Sequence, residues 1–159
     1  MRFTRESEYG LSALLFLAGR LPGEVLPLSE IARASGLPQN FLAKIFQKLA
    51  QHGMVRSFRG ARRGYCLAHE PGAIRVRALV EAIEGPGVFE RCIFWNARCD
   101  SGDPCPLHDG WMRVSADLVR FLEETTLQDL ARRDEARRRR DARHGPGRRR
   151  PAGRLAPRP

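Results

Sequence analysis

The sequence predicts a mainly α-helical fold: a winged helix-turn-helix domain with a small β-hairpin wing, followed by a long C-terminal dimerisation helix. Two observations support this prediction. Two short amphipathic stretches meet at Gly36, and two alternating stretches flank a basic turn at 59–64. With 159 residues, of which 42% are hydrophobic, the chain can form one core of ordinary size and a tail.

The first predicted helix starts after Thr4, a residue type that often caps helix N-termini. We expect it to end between Gly19 and Gly23. Its apolar side chains recur at helical spacing, at Tyr9, Ala13, Phe16 and Leu17.

Two short helices are predicted between residues 28 and 51. The first is capped by Ser29 and ends at Gly36, and the second runs from about Pro38 to Gln51. Two such helices joined by a tight glycine turn are typical of a helix-turn-helix, whose second helix lies in the major groove of DNA. The second helix should bury the apolar side chains Phe41, Leu42, Ile45, Phe46 and Leu49.

The periodicity changes after Gly53, where strands are predicted at 54–58 and 65–68. The turn between them carries three arginines and has a glycine near each end. A basic hairpin after a helix-turn-helix is a candidate wing, whose arginines would lie over the DNA backbone or in the minor groove. A solvated hairpin that contacts nothing is the alternative.

The net charge of +10 is unevenly distributed along the chain. Twelve arginines and only three acidic residues lie from Arg132 to the end, so the rest of the chain is almost neutral. Between Glu30 and Glu70, however, there is no acidic residue. This stretch predicts a local DNA-binding surface. Its candidate contacts are Gln39, Asn40, Lys44 and Lys48 on the second helix and Arg59, Arg62 and Arg63 on the wing.

Two further amphipathic helices are predicted, at 73–85 and at about 109–124. The apolar stripe of the later helix could simply be part of the core. Because the preceding segments already close a small core, however, we expect this stripe to pack against a second copy of the chain. Two-fold dimers also match palindromic DNA operators. The stripe comprises Trp111, Val114, Leu118, Phe121, Leu122 and Thr125.

A short segment contains Cys92, Cys99, Cys105 and His108, and its proline and glycine residues interrupt any regular helix. Thiolates bind zinc, copper(I) or iron–sulfur clusters, so the segment predicts a metal or cluster site. A disulfide or inert buried thiols are the alternatives. Cys66 lies in a predicted wing strand, where a small apolar side chain suits packing.

Two other chemistries fit the cysteine spacing less well. Zinc sites usually separate their paired cysteines by two to four residues, and Cys92 and Cys99 do not satisfy this. A thiol oxidoreductase would usually have a C-x-x-C pair, which is absent from the sequence.

Several motifs, in the same order, resemble the IscR/NsrR/RirA family of bacterial winged-helix regulators. They are Met1-Arg2-Phe3-Thr4, Glu8-Tyr9-Gly10-Leu11, Leu28-Ser29-Glu30-Ile31-Ala32, Phe41-Leu42-Ala43-Lys44-Ile45, the wing from Arg59 to Ala68, the three clustered cysteines, and Thr126 to Leu130. The resemblance covers about residues 1–131. It implies a homodimeric transcription factor, not an enzyme, that is usually a repressor, binds a double-stranded DNA operator and takes no small-molecule substrate.

The resemblance also implies a cofactor. In the family, three cysteines hold a [2Fe-2S] or [4Fe-4S] cluster that senses nitric oxide, redox state or cluster supply; the matching residues here are Cys92, Cys99 and Cys105. IscR-like members take a histidine three residues after the last cysteine as the fourth ligand, here His108. NsrR-like members take an N-terminal carboxylate, here Glu8, and the residues around Glu8 favour this branch.

The sequence departs from the family pattern at two places. One extra residue separates Cys92 from Cys99, which leaves the cluster type open. Arg63 replaces the first of two glycines that the family commonly has in the wing, and an arginine there would either add a phosphate contact or shift the reach of the wing.

The chain is therefore predicted to have four parts. They are a DNA-binding domain at 1–85, a cysteine-rich cluster-binding loop at 86–108, a dimerisation helix with a short closing helix at 109–133, and an Arg-rich tail at 134–159. The composition of the tail is typical of disorder. Because no apolar run is long enough for a signal peptide or a membrane span, we expect a cytoplasmic protein without membrane contact.

Overall fold

Six α-helices and one two-stranded antiparallel sheet form the fold in a computed structural model that describes residues 3–60, 63–93 and 102–144. The helices are α1 (Arg5–Ala18), α2 (Leu28–Ser35), α3 (Gln39–Gln51), α4 (Val76–Glu84), α5 (His108–Glu124) and α6 (Leu127–His144). The strands β1 (Val55–Phe58) and β2 (Gly64–Leu67) lie between α3 and α4. The predicted mainly α winged helix-turn-helix fold is confirmed. Among the described residues, no helix is both long enough and apolar enough to cross a membrane.

Helix α1 begins and ends where the sequence predicts. The Thr4 hydroxyl accepts a hydrogen bond from the backbone N–H of Glu6 at 3.2 Å, which satisfies one of the unpaired donors of the first turn. The helix ends at Ala18, and Gly19 is its C-cap.

Helices α2 and α3 form the predicted helix-turn-helix, with two differences in detail. Gly36 ends α2 with φ +67°, as expected for a glycine cap. The N-cap is Pro27 and not Ser29, because the helix starts at Leu28 and Ser29 already lies in its first turn. Phe41 was predicted to be buried, but 56% of it is exposed. It lies about 100° around the helix from Leu42, on the edge of the buried face.

The wing strands pair in register from Val55 opposite Leu67 to Phe58 opposite Gly64. Leu26 adds an isolated bridge to Tyr65, with backbone N···O distances of 3.0 and 2.8 Å. The Tyr65 ring packs edge-on against Phe46 of α3, with centroids 4.9 Å apart. The wing is therefore fixed both to the recognition helix α3 and to the segment before α2.

One core joins all six helices and both strands. Helix α4 starts at Val76 rather than at 73, because residues Pro71–Ala73 form a short 3₁₀ turn and Ile74 is already buried between that turn and the helix. The largest fully buried side chains of the core are Leu14, Ile31, Leu42, Ile45, Phe46, Leu49, Leu79, Val88 and Leu127.

Helix α6, which is longer than predicted, begins with a capping box. Thr126 and Asp129 form a capping box at its start: the Asp129 carboxylate accepts bonds from the backbone N–H and hydroxyl of Thr126, and the Asp129 N–H donates to Thr126 Oγ1. The hydrogen bond from the Thr126 hydroxyl lowers the pKa of the Asp129 carboxyl.

The predicted boundary of a disordered tail at residue 134 is wrong, because α6 continues to His144. Asp134 accepts hydrogen bonds from Arg137 at 2.8 Å and Arg138 at 2.7 Å. Desolvation opposes ionisation of Asp134, but these two bonds outweigh it and lower its pKa. Pairs three and four residues apart stabilise a helix, so the arginine-rich sequence supports one here. Residues 145–159 lie outside the described part of the chain.

Candidate nucleic-acid interface and cysteine segment

The outer face of α3 carries three of the predicted DNA contacts. Gln39, Asn40 and Lys44 are exposed, while the opposite face of the helix is buried in the core. Gln39 and Asn40 lie in the first turn of α3, where the recognition helix of a helix-turn-helix places the residues that contact base edges.

A groove of about 520 Å³ separates the start of α3 from the wing. Its lining brings Gln39 together with Arg59 and Arg63 of the hairpin. The third wing arginine in the prediction, Arg62, lies outside the described residues. Ser29 and Ser57 also line this groove. Sequence reasoning missed both as contacts, although Ser57 is an exposed residue of a short strand.

Lys48 is oriented differently from the other predicted contacts. Its Nζ lies 2.5 Å from Glu6 Oε2 and donates to the Ile83 backbone carbonyl at 3.0 Å. These bonds direct the ammonium toward α1 and α4, so the structure gives Lys48 protein partners where the sequence predicted a DNA contact.

The cysteines of the predicted cluster loop are only partly described. Cys92 is buried, with 8% exposed, and Cys105 is half-buried before α5. Cys99 lies outside the described residues. Cys66 is also buried, on β2, as its proposed packing role requires.

The two candidate fourth ligands lie in different environments. His108 is the first residue of α5, is 8% exposed, and donates its backbone N–H to the Cys105 carbonyl at 2.9 Å. Glu8 is exposed on α1, one turn after Thr4. Among the residues described, no three His, Cys, Asp or Glu side chains are grouped closely enough to hold a metal ion.

The cysteine segment, by which we mean the predicted loop at 86–108, packs against the helices at its start. Phe89 is buried, its ring meets the Phe3 ring edge-on with centroids 6.2 Å apart, and the Arg77 guanidinium lies 5.5 Å from its centroid. Arg77 also hydrogen-bonds Glu81 and Glu123. The hydrogen bond to Glu81 raises the pKa of Arg77. Desolvation lowers this pKa and the hydrogen bond to Glu123 raises it, so the pKa lies above its ordinary value. These contacts join Phe3, which precedes α1, to α4 and α5 near Cys92.

The apolar stripe predicted on α5 is divided between two surroundings. Leu122 and Thr125 are buried within the chain itself, and Trp111 and Leu118 are half-buried against its core. Val114 and Phe121, by contrast, are 58% and 50% exposed. The residues along this edge follow one another at steps of three and four, as in a helix–helix seam. They are Leu107, Trp111, Val114, Leu118 and Phe121.

The helix-turn-helix, the hairpin beside it and the basic groove between them define a winged helix-turn-helix protein of the DNA-binding class. The chain belongs to the Rrf2 family, described as iron-dependent transcriptional regulators, whose sequence profile matches residues 3–133. It is thus an IscR-type transcriptional regulator and not an enzyme, which confirms the resemblance drawn from its motifs.

Individual relatives agree with this assignment. The regulator IscR of Citrobacter koseri is 31% identical over 135 residues, which covers 85% of this chain and 82% of that protein. The global cysteine regulator CymR of B. subtilis superposes with a TM-score of 0.70 and 27% identity, over 82% of this chain and 96% of that one. IscR of T. potens superposes with a TM-score of 0.68 and 26% identity, over 86% and 90%.

Proposed function

We propose that the protein is a cytoplasmic, homodimeric repressor whose affinity for a DNA operator is controlled by an iron–sulfur cluster. The observation that carries the DNA-binding part is the groove in which Gln39, Arg59 and Arg63 lie together. A recognition helix and a wing that flank one groove can contact the same duplex.

Helix α3 lies in the major groove of the duplex. There the amides of Gln39 and Asn40 contact base edges, and the Lys44 ammonium contacts a phosphate. Arg59, Arg62 and Arg63 of the wing lie along the neighbouring backbone or minor groove. Because Lys48 is bound to Glu6 and Ile83, it is left out of this set of contacts.

The exposed edge of α5 forms the dimer interface. Exposed apolar side chains in a continuous row are unfavourable in water, and a second copy of α5 would cover Val114 and Phe121 with the same residues. A two-fold dimer places two recognition helices about one helical turn of DNA apart, which matches a palindromic operator.

Cys92, Cys99 and Cys105 hold the cluster, which is [4Fe-4S] or [2Fe-2S]. Three thiolates and one weaker ligand are a donor set suited to iron–sulfur clusters. When bound, the cluster supplies a centre that reacts with nitric oxide or oxidants. The protein residues around it would transmit the change: Phe89 joins the segment before Cys92 to Phe3, which precedes α1, and to Arg77 of α4.

Either Glu8 or His108 is the fourth ligand. The match of the surrounding residues to the nitric-oxide-sensing branch favours Glu8, whereas the burial of His108 in the same turn as Cys105 supports His108. Glu8→Ala and His108→Ala separate the two. The variant of the true ligand should retain a labile cluster with a shifted absorption spectrum and an altered response to nitric oxide or oxygen, and the other should resemble the wild type.

DNA binding is tested by selecting duplexes from a random pool and measuring the dissociation constant of the selected duplex. Arg59→Ala and Arg63→Ala should each weaken binding and reduce the slope of log affinity against log salt by about one. Arg120→Ala is the matched control, because Arg120 is paired with Asp117 on α5, outside the groove. Equal slopes for all three variants would contradict the proposed interface.

Cluster binding is tested with single cysteine variants purified without oxygen. Cys92→Ala, Cys99→Ala and Cys105→Ala should each lose iron, sulfide and visible absorption, because two thiolates leave too few strong bonds. Cys66→Ala is the control and should retain all three signals. Retention of the cluster in any of the first three variants would exclude that cysteine as a ligand.

A second candidate is a zinc-stabilised or cluster-free DNA-binding protein. One observation favours it: this chain resembles the structure of CymR, a regulator named for cysteine and not for iron. Stoichiometric zinc, or protein without bound metal that still binds the selected duplex tightly, would support this candidate over the cluster. A thiol oxidoreductase, the third possibility from the sequence, is not supported by relatives that are transcriptional regulators.

A further inference from the structure

Lys48 and Lys44 lie one turn apart on α3 but have different surroundings. Lys44 is exposed, whereas the Nζ of Lys48 donates to Glu6 Oε2 at 2.5 Å and to the Ile83 carbonyl at 3.0 Å. Positions four apart on a helix are rotated by only about 40°. The long side chain of Lys48 therefore turns toward α1 and α4, where its ammonium donates to two protein groups.

Glu84, the last residue of α4, binds the start of α1 at the same end of the molecule. Its Oε1 accepts hydrogen bonds from the Thr4 backbone N–H at 2.7 Å, the Thr4 hydroxyl at 2.8 Å and the Ser7 hydroxyl at 2.6 Å. Hydrogen bonds to an ionised carboxylate are roughly twice as strong as neutral ones. One carboxylate thus holds the first turn of α1 against the end of α4.

Gly10 permits these helices to approach closely. A Cβ at position 10 would lie 2.4 Å from Ile83 Cδ1 and 3.2 Å from Ile45 Cγ2, so a larger side chain there would require the Ile83 and Ile45 side chains, or the helices that carry them, to shift. The three helices consequently meet at one place, which we call the junction and define by Glu6, Lys48 and Glu84.

The junction leads directly into the cysteine segment. Gly85 and Gly87, both with positive φ, turn the chain after Glu84. Phe89 is then buried, and its ring contacts Phe3, which immediately precedes Thr4. The same few residues therefore connect the approach to Cys92 with the last turns of the recognition helix.

We propose that Glu6, Lys48 and Glu84 are positioning residues that hold α3 in the orientation in which it contacts DNA, and that a displacement of the cysteine segment reaches α3 through them. This inference rests on the DNA-binding function proposed above. It also changes the role of Lys48, because a positioning residue acts on the angle of α3 and does not neutralise a phosphate.

Salt dependence distinguishes the two roles. Lys44→Met should weaken binding of the selected duplex and reduce its salt slope by about one, because a phosphate contact is lost. Lys48→Met should weaken binding by about three- to tenfold with the salt slope unchanged. Lys48→Arg, which can keep the pair with Glu6, should bind within about twofold of the wild type. A slope reduced by about one in Lys48→Met would make Lys48 a phosphate contact and overturn the proposal.

The pairing itself is tested with Glu6. Glu6→Gln should weaken DNA binding as Lys48→Met does, and the double variant should be no weaker than either single one, because all three remove the same contact. The exchanged pair Glu6→Lys with Lys48→Glu should recover part of the lost affinity. Additive losses, or an unchanged affinity in Glu6→Gln, would contradict a positioning role.

Amide hydrogen exchange tests the junction without DNA, and so separately from the proposed function. Lys48→Met and Glu84→Ala should speed exchange in the last turns of α3, the first turn of α1 and residues 87–93 together, while Lys44→Met leaves these regions unchanged. If the wild type selects no duplex but the variants show this exchange pattern, the proposed DNA-binding function is wrong, while the coupling of the three elements at the junction is supported. If exchange in Lys48→Met changes only around residue 48, the junction does not connect the three elements.

Discussion

Gly64 lies so close to Leu26 that a Cβ on residue 64 would be 2.4 Å from the Leu26 carbonyl oxygen. This approach is required by the bridge between Leu26 and Tyr65, which attaches the wing to the segment before α2. Of the two glycines that related wings commonly have, this chain keeps the second, and Arg63 occupies the exposed position of the first. The close contact explains which of the two can be replaced.

Gly64→Ala should therefore destabilise the protein by about 1–3 kcal/mol, because the wing must move away from Leu26 to accommodate a methyl group. Unfolding in denaturant measures the change. Gly19→Ala is the control, since its φ is −85° and a Cβ there would lie no closer than 3.6 Å to its surroundings; it should change stability by less than about 0.5 kcal/mol. Equal stability of the two variants would show that the wing is not fixed in this way.

Phe41 and Phe46 lie on the same helix in opposite environments, which gives a matched pair. Phe46→Ala should cost about 3–5 kcal/mol of unfolding free energy, because the ring is fully buried against Tyr65. Phe41→Ala should cost less than about 1 kcal/mol, because most of its ring is already exposed. A large loss in Phe41→Ala would mean that α3 is rotated toward the arrangement that the sequence predicted.

The capping box of α6 predicts a pH dependence of stability. Because the folded state lowers the pKa of Asp129 below its ordinary value of 3.8, its stabilising contribution is present above that value and is lost as the pH falls through the lower folded pKa. The wild type should thus be more stable than Asp129→Asn at about pH 6, and this difference should shrink at about pH 3. Thr126→Val, which removes the hydroxyl donor, should likewise be less stable than the wild type at about pH 6, and this difference should also shrink at about pH 3. If the difference in stability did not change with pH, the ionisation of Asp129 could not be its cause.

Two truncations distinguish α6 from the residues after it. Removal of 145–159 should leave stability unchanged and lower nonspecific DNA affinity at low salt, because five arginines are lost that contribute counterion release but no base contact. Removal of 134–159 should in addition destabilise the fold by roughly 1 kcal/mol, because it deletes the bonds of Asp134 to Arg137 and Arg138. Equal stability of the two truncated proteins would show that residues 134–144 add nothing to the fold.

Local signals in the sequence were sufficient for most of the fold. Thr4, Gly36 and the alternation in the wing each act over a few residues, so their consequences could be predicted directly. The cap at Ser29 was misplaced because α2 begins one residue before it, at Leu28. The exposure of Phe41 has a different cause, since this residue lies at the edge of the face that α3 buries. Composition alone does not predict the length of α6. A high arginine content is typical of disorder, but it also permits ion pairs three and four residues apart, which stabilise a helix.

The candidate site was less predictable than the fold. Gln39, Arg59 and Arg63 were identified from charge and position, and they do line one groove. The partners of Lys48, by contrast, come from α1 and α4, far away in the sequence, and nothing local indicates that Glu6 would face it. The proposed fourth ligand of the cluster poses the same difficulty, because the two candidates, Glu8 and His108, belong to different helices.

The ratio of operator affinities with and without the cluster tests the central claim most directly. Protein purified without oxygen, with its iron and sulfide quantified, would be titrated against the selected duplex before and after treatment with nitric oxide that removes the visible absorption of the cluster. We expect about one iron–sulfur cluster per subunit and a change in affinity of at least about fivefold, the lower end of typical allosteric couplings. Colourless protein containing zinc, or the same dissociation constant before and after treatment, would contradict the account.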